Sequence, residues 1–142
     1  MTNSPTMMMV VAAAFCRPDG LWLMHRRPEN KQHGGLWEFP GGKVENGETA
    51  PIALVREVRE ELGIVAITDA LRPLAFAQNE GDRAHPPIVI LLYRIDDWTG
   101  EPIAMEGGQV GWFSISEIEE LPKPPLDCDL VRQLFPRYVE NS

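Results

Sequence analysis

The chain has 142 residues, a formal net charge of −8 and 44% hydrophobic residues. That length suits one compact unit with a buried core, and no apolar run is long enough to span a bilayer, so a soluble protein is expected. The acidic balance excludes a phosphate-backbone binder, which needs a basic patch, so neither a nucleic acid polymer nor a membrane is an expected partner.

Residues 1–6 are short and polar and are expected to be disordered, with residues 7–142 forming a single domain. The apolar stretch Met7 to Phe15 is too short and wrongly flanked for a signal peptide and reads as a first strand. Leu21 to Met24 reads as a second strand, with Asp19-Gly20 turning the first into it as a hairpin, and Val44 marks a short strand. Glu48 and Thr49 open a helix that tolerates Pro51 in its first turn and ends at Gly63 in a left-handed cap.

Val65 to Gln78 is expected as a strand interrupted near Arg72-Pro73, and Asn79 to Pro87 as a polar loop and candidate rim. Ile88 to Tyr93 and Val110 to Ser114 read as further strands. Ser116 with Glu119 reads as the capping box of a short helix, and Leu126 to Val139 as a closing helix. This order implies an α/β (α+β) fold, a mixed β-sheet sandwiched between helices. Cys16 and Cys128 lie far apart without a CxxC or Cys/His cluster, so neither a disulfide framework nor a zinc site is indicated, and a reducing cytoplasm fits. His25, His33 and His85 show no ligand spacing and count as surface or strand residues.

The helix after Thr49 carries the chemistry. At ~100° per residue, Glu57, Glu60 and Glu61 fall within a ~100° arc, roughly opposite Leu54, Val55, Val58 and Leu62. Arg56 offsets part of the charge, while the like-charged i,i+4 pair Glu57 and Glu61 costs a few tenths of a kcal/mol. By itself such a face is ordinarily a solvated one.

The register of the whole segment reverses that. Gly42, Glu48, Arg56, Glu57, Val58, Glu60, Glu61, Gly63 and Ile64 fit G-x5-E-x7-R-E-U-x-E-E-x-G-U, where U is a bulky aliphatic residue. Nine such matches arise by chance in on the order of one chain in ten million. This segment resembles the Nudix box. The flanking Trp37-Glu38-Phe39-Pro40-Gly41-Gly42-Lys43-Val44-Glu45 is similar to the MutT-type subgroup, which cleaves nucleoside triphosphates to a monophosphate and pyrophosphate. Trp98 to Pro102, Glu106-Gly107 ahead of Trp112, and Pro124-Pro125-Leu126-Asp127 extend the likeness over most of residues 8 to 135.

The resemblance implies the Nudix fold and a Mg²⁺ cofactor, with Mn²⁺ as the substitute; both prefer oxygen ligands, which suits a carboxylate face. Glu57, Glu60 and Glu61 would be ligands, Arg56 would orient them, and the Gly41-Gly42 turn would bring a main-chain carbonyl of Gly41 to the same ion. Gly42, Glu48 and Gly63 would be structural, although Glu48 also fits a plain acid at a helix N-terminus. Glu106 would complete the metal site or accept the proton of the attacking water, a role Glu57 fits as well; a solvated loop acid is the alternative.

On the substrate side, Arg27 would contact the nucleotide, with Arg26 as the competing choice. Glu38 and Phe39 would line the cleft with Lys43 nearby, although Phe39 and Trp37 also suit a core. Asp127 would read the base edge, or else cap a helix. An ionised Asp accepts hydrogen bonds and a protonated one donates, so 8-oxoguanine and cytosine both remain open. The expected substrate is therefore a nucleoside triphosphate, 8-oxo-dGTP first and CTP or a modified dCTP second. A nucleoside diphosphate derivative such as ADP-ribose follows, then a catalytically silent nucleotide-sensing module. The oligomeric state is left open.

Overall fold

The computed structural model describes residues 6–135. The expected disorder of residues 1–6 falls, apart from Thr6, outside the described residues; the closing helix expected over Leu126 to Val139 runs instead from Pro125 to Leu134, with Phe135 at its C-terminal end and 136–139 outside the described residues. Among the described residues, seven strands and three α-helices form two sheets with helices against them, an α+β arrangement. Strands β1 (Met8–Phe15), β4 (Gly41–Lys43), β5 (Leu71–Gln78) and β6 (Ile88–Ile95) form a mixed sheet in the order β4-β1-β6-β5. Strands β2 (Trp22–Arg26), β3 (Trp37–Glu38) and β7 (Gln109–Phe113) form an antiparallel sheet in the order β3-β2-β7.

The split into two sheets corrects the expected hairpin. Asp19-Gly20 does sit in a turn, with the Arg17 N–H bonded to the Leu21 carbonyl, but only the bridge Cys16↔Trp22 follows from it. Both edges of β1 are already taken, by β6 in parallel and by β4 in antiparallel pairing, so β2 must leave for the second sheet.

Strand β1 is apolar on both faces because each faces a core. Val11, Ala13 and Phe15 pack with Ala53, Leu54, Val58 and Leu62 of α1 (Ala50–Leu62), while Ala12 and Ala14 pack in a second cluster with Leu130 and Val131 of α3 (Pro125–Leu134). Strand β2 alternates between the same two clusters, giving Leu23 to the first and Trp22 and Met24 to the second.

Helix α1 forms where its signals place it. The Thr49 side chain caps the Ile52 N–H, and Gly63 takes φ 71°. The N–H groups of Gly63 and Ile64 then satisfy the carbonyls of Arg59 and Val58 at the C-terminus. Elsewhere the boundaries moved. Val65 makes only a bridge to Thr99, and Thr68–Ala70 is a 3₁₀ turn, so β5 starts at Leu71; the expected interruption is the register shift between Pro73 and Ala75.

The capping box of α2 (Ile115–Glu120) is Ser114 with Glu117 rather than Ser116 with Glu119. The three-residue spacing is the same in both pairs, but β7 ends at Phe113 and leaves Ser114 extended, as a cap must be. Ser116 instead lies in the first turn, its hydroxyl 3.1 Å from that of Ser114. No helix among the described residues is long and apolar enough to cross a membrane, and Cys16 and Cys128 are both free.

Candidate active site

The acidic face of α1 meets strand β4 on one side and strand β2 on the other. On the β4 side, Arg56 is the hub. Its Nε and Nη2 donate to both oxygens of Glu48 at 2.7 and 2.9 Å, and Nη2 also donates to the Lys43 carbonyl at 3.0 Å. Nη1 donates to Glu57 at 2.9 Å and to Glu60 at 3.3 Å. One planar guanidinium thus fixes three carboxylates and the end of β4, which a single ammonium could not span. The bond from Arg56 holds the Glu48 carboxyl down to about 2.

Gly42 is required here by close approach: a Cβ on it would lie 2.3 Å from the Glu57 carboxylate. Gly41 is pinned by pairing with Ala12, where a Cβ would meet the Val11 carbonyl at 1.9 Å. The side chain of Lys43 is exposed and its carbonyl serves Arg56.

On the β2 side the same helix face is buried. Burial pushes the Glu61 carboxyl up to about 7, opposed by His25 and reinforced by Glu38, Glu57 and Glu106. Glu57 also moves upward through burial, opposed by Arg56 and reinforced by Glu60 and Glu106. Glu60 is half exposed. Glu106 reaches this group from the loop before β7, because the N–H groups of Ile103 and Met105 donate to the carbonyls of Leu62 and Glu61 at 3.0 and 2.9 Å.

A cleft of about 180 Å³ opens beside these acids, lined by His25, Arg27, Pro28, Lys31, Glu38, Glu61 and Glu106. Arg27 stands in it with Nη1 3.2 and 3.3 Å from the two Glu38 oxygens and Nε on the Gln32 carbonyl at 2.8 Å. Arg26 is on the other face of the chain, bonded to the Gly35 carbonyl and to Glu29.

The remaining substrate-side residues sit on the second core. Phe39 is 3% exposed and packs there with Trp37 beside it. Asp127, in the first turn of α3, is buried, and its Oδ2 accepts the Phe39 N–H at 3.1 Å. Burial raises the Asp127 carboxyl to about 7, with Glu38 adding to the shift. The cap of α3 is Pro124, so Asp127 does not cap it. The loop 79–87 is ordered by Asp82 and Asn79 and supplies nothing to the lining of the cleft.

One participant was not apparent from the sequence. His25 is 6% exposed, its Nε2 faces the Gly107 carbonyl at 3.3 Å, and its Nδ1 lies 3.4 Å from Glu61 and 3.9 Å from Glu38. The available signal was the alternation along β2 and its extension, which puts Leu23, His25 and Arg27 on one side.

This donor set suits a hard divalent cation. The Glu57 carboxylate is within electrostatic reach of Glu60, Glu61 and Glu106, and Glu61 of Glu106. Glu61 keeps a buried oxygen without a hydrogen-bond donor. Gly42, lacking a Cβ, leaves room for the Glu57 carboxylate against the β4 backbone.

A two-layered core, a capped acidic helix and an Arg-locked carboxylate set make an acidic site suited to a divalent cation, and comparison with known proteins gives the class. The chain matches the NUDIX domain over residues 6–134 and belongs to the Nudix family. It is 36% identical over 124 residues to the CTP pyrophosphohydrolase of Escherichia coli, covering 87% of this chain and 89% of that one. It is 33% identical over 126 residues to the 8-oxo-dGTP diphosphatase of Haemophilus influenzae, covering 88% and 90%. A MutT structure from a study of the Aliivibrio salmonicida and Vibrio cholerae enzymes superposes with a TM-score of 0.78 at 29% identity, covering 93% of this chain and 99% of that one. The chain is thus a pyrophosphohydrolase of the Nudix family with MutT-type relatives, a family that generally uses divalent cations.

Proposed function

We propose that the protein hydrolyses a nucleoside triphosphate to a nucleoside monophosphate and pyrophosphate with Mg²⁺, and that 8-oxo-dGTP is its favoured substrate. The observation that carries this is the junction of two sites. Glu61 of α1, coupled to Glu57 on the next turn, lines with Glu106 the same cleft into which Arg27 and Glu38 project. Glu57, Glu60 and Glu61, with the main chain at Gly41 and with Glu106, would hold the ion. Bound Mg²⁺ would supply charge neutralisation on phosphate oxygens and a more acidic water.

The chain's own groups do the rest. Arg56 holds Glu57 and Glu60 in place and opposes the upward shift that burial imposes on Glu57. Arg27 offers its guanidinium to a phosphate once that phosphate displaces Glu38, and Lys43 is exposed on the neighbouring strand to meet another. Glu106 and Glu57, both without a fixed cation on every oxygen, are the groups able to take the proton from water. Asp127 has Oδ2 committed to Phe39 and Oδ1 uncommitted, and near neutral pH that carboxyl can present either a donor or an acceptor to a base edge. Phe39 acts through this bond and its packing.

The test is a kcat/KM panel of 8-oxo-dGTP, dGTP, CTP, 5-methyl-dCTP and ADP-ribose with Mg²⁺, run in heavy-oxygen water against Glu60→Gln. The expected result is highest kcat/KM for 8-oxo-dGTP with the label in pyrophosphate. Label confined to the monophosphate would overturn attack at the β-phosphorus. Turnover no higher than that of Glu60→Gln would replace the enzyme with a nucleotide-sensing module. A CTP preference is the second reading, favoured by the 36% identical relative that carries that name.

A further inference from the structure

His25 has no part in the oxygen ligand set, yet its ring is turned into it. Gly107 provides a carbonyl 3.3 Å from Nε2, which places the ring proton there and leaves the Nδ1 lone pair directed at Glu61 and Glu38. Nδ1 and the facing Glu61 Oε1 are both buried, and neither has a hydrogen-bond partner. Two electron-rich atoms held together out of water require something positive between them, either a proton on one of the pair, towards which both groups are shifted, or a cation.

The three donor atoms lie within 4.8 Å of one another. The 3.4 Å between Nδ1 and Oε1 matches the ~3.0–3.4 Å expected between two ligands of one ion with bonds near 2.0–2.1 Å. A backbone carbonyl on the opposite ring nitrogen is the arrangement that fixes the tautomer of a metal-binding histidine. Arg27 meanwhile holds Glu38 in place from its other side.

We propose that His25, Glu61 and Glu38 form a position for a divalent transition metal, Zn²⁺ or Co²⁺ first and Mn²⁺ more weakly, next to the all-oxygen set and sharing Glu61 with it. Imidazole favours Zn²⁺ and Co²⁺ over Mg²⁺, while Mn²⁺ prefers oxygen but accepts a nitrogen ligand more readily than Mg²⁺ does. The position therefore gives this chain a metal preference that its acidic helix alone does not confer. It does not depend on which nucleotide is hydrolysed.

The test uses the metal-free full chain titrated with Mn²⁺ and followed by pulsed electron paramagnetic resonance. Wild type should show nitrogen modulation of the Mn²⁺ echo, and a His33→Gln/His85→Gln double variant should keep it. His25→Gln should lose it and bind Mn²⁺ at least about tenfold more weakly, with Mg²⁺ affinity changed less than twofold. Glu38→Gln should weaken Mn²⁺ while retaining the nitrogen signal. Absence of nitrogen modulation in wild type, its loss in the double variant, or equal Mn²⁺ affinity in folded His25→Gln would overturn the proposal. Should His25→Gln fail to fold, the wild-type and double-variant spectra decide alone.

Discussion

The two sides of the α1 acidic face, one turn apart, carry opposite electrostatics. Towards β4, Arg56 satisfies Glu48, Glu57 and Glu60 at 2.7–3.3 Å, and the Glu48 carboxyl is held down to about 2. Towards β2, Nδ1 of His25 and Oε1 of Glu61 are buried without hydrogen-bond partners, and the Glu61 carboxyl is driven up to about 7. The first side is organised before any ligand arrives. The second is left short of positive charge, so binding energy from a cation is concentrated there. A helix can thus be both a fixed scaffold and an unsatisfied ligand set when a single Arg serves only half of it.

The strongest way to break this contrast is to remove the carboxylate that joins the two sides. Glu57→Gln should lower kcat on the order of a hundredfold to a thousandfold with little change in circular dichroism, read by pyrophosphate release at saturating nucleotide. Gly42→Ala should follow. Its Cβ would press on the Glu57 carboxylate from 2.3 Å, and a displacement of about 1 Å costs on the order of a hundredfold in turnover, while the fold persists because the clash is with a side-chain end.

Arg56→Lys should have a smaller effect, since the charge stays and the fork is lost. In the wild type the Glu48 pairing contributes stability that is full above the usual carboxylate range near pH 4 and is lost as pH falls towards about 2. In Arg56→Lys the Glu48 carboxyl should titrate nearer its ordinary value, so acid unfolding begins at higher pH; carbon-detected NMR of the Glu48 carboxyl checks it.

The mildest change is Asp127→Asn. Burial raises Asp127 to about 7 in the folded state, so the wild type should lose stability as pH rises from about 4 to about 7 and gain none from this group below that window. Asn retains an oxygen for the Phe39 N–H and has no such titration. A flatter Tm-against-pH curve for the variant between those limits is the expected outcome, with a change in base preference in the same panel.

The sequence was most legible where one element carries its own signals. The α1 boundaries follow from Thr49, Pro51 and Gly63, and the acidic face follows from helical spacing. It was least legible where partners are distant. Asp19-Gly20 looks like a hairpin turn because nothing local says that β4 and β6 have occupied both edges of β1. His25 looks like an ordinary strand residue because its direction depends on which sheet face meets α1, a matter of topology. The serines at 114 and 116 offer equal capping spacing, and only the end of β7 selects between them. Asp127 likewise gains its environment from Phe39, 88 residues away.

The two bonds from Ile103 and Met105 to the last carbonyls of α1 make the loop bearing Glu106 a continuation of the helix in all but covalent connection. For an engineer grafting loops between relatives, the transferable unit is therefore the stretch around residues 103–106 together with the helix end at Glu61 and Leu62. Changing the number of residues between Ile103 and Glu106 would alter the reach of the acid even with every side chain of the α1 motif intact.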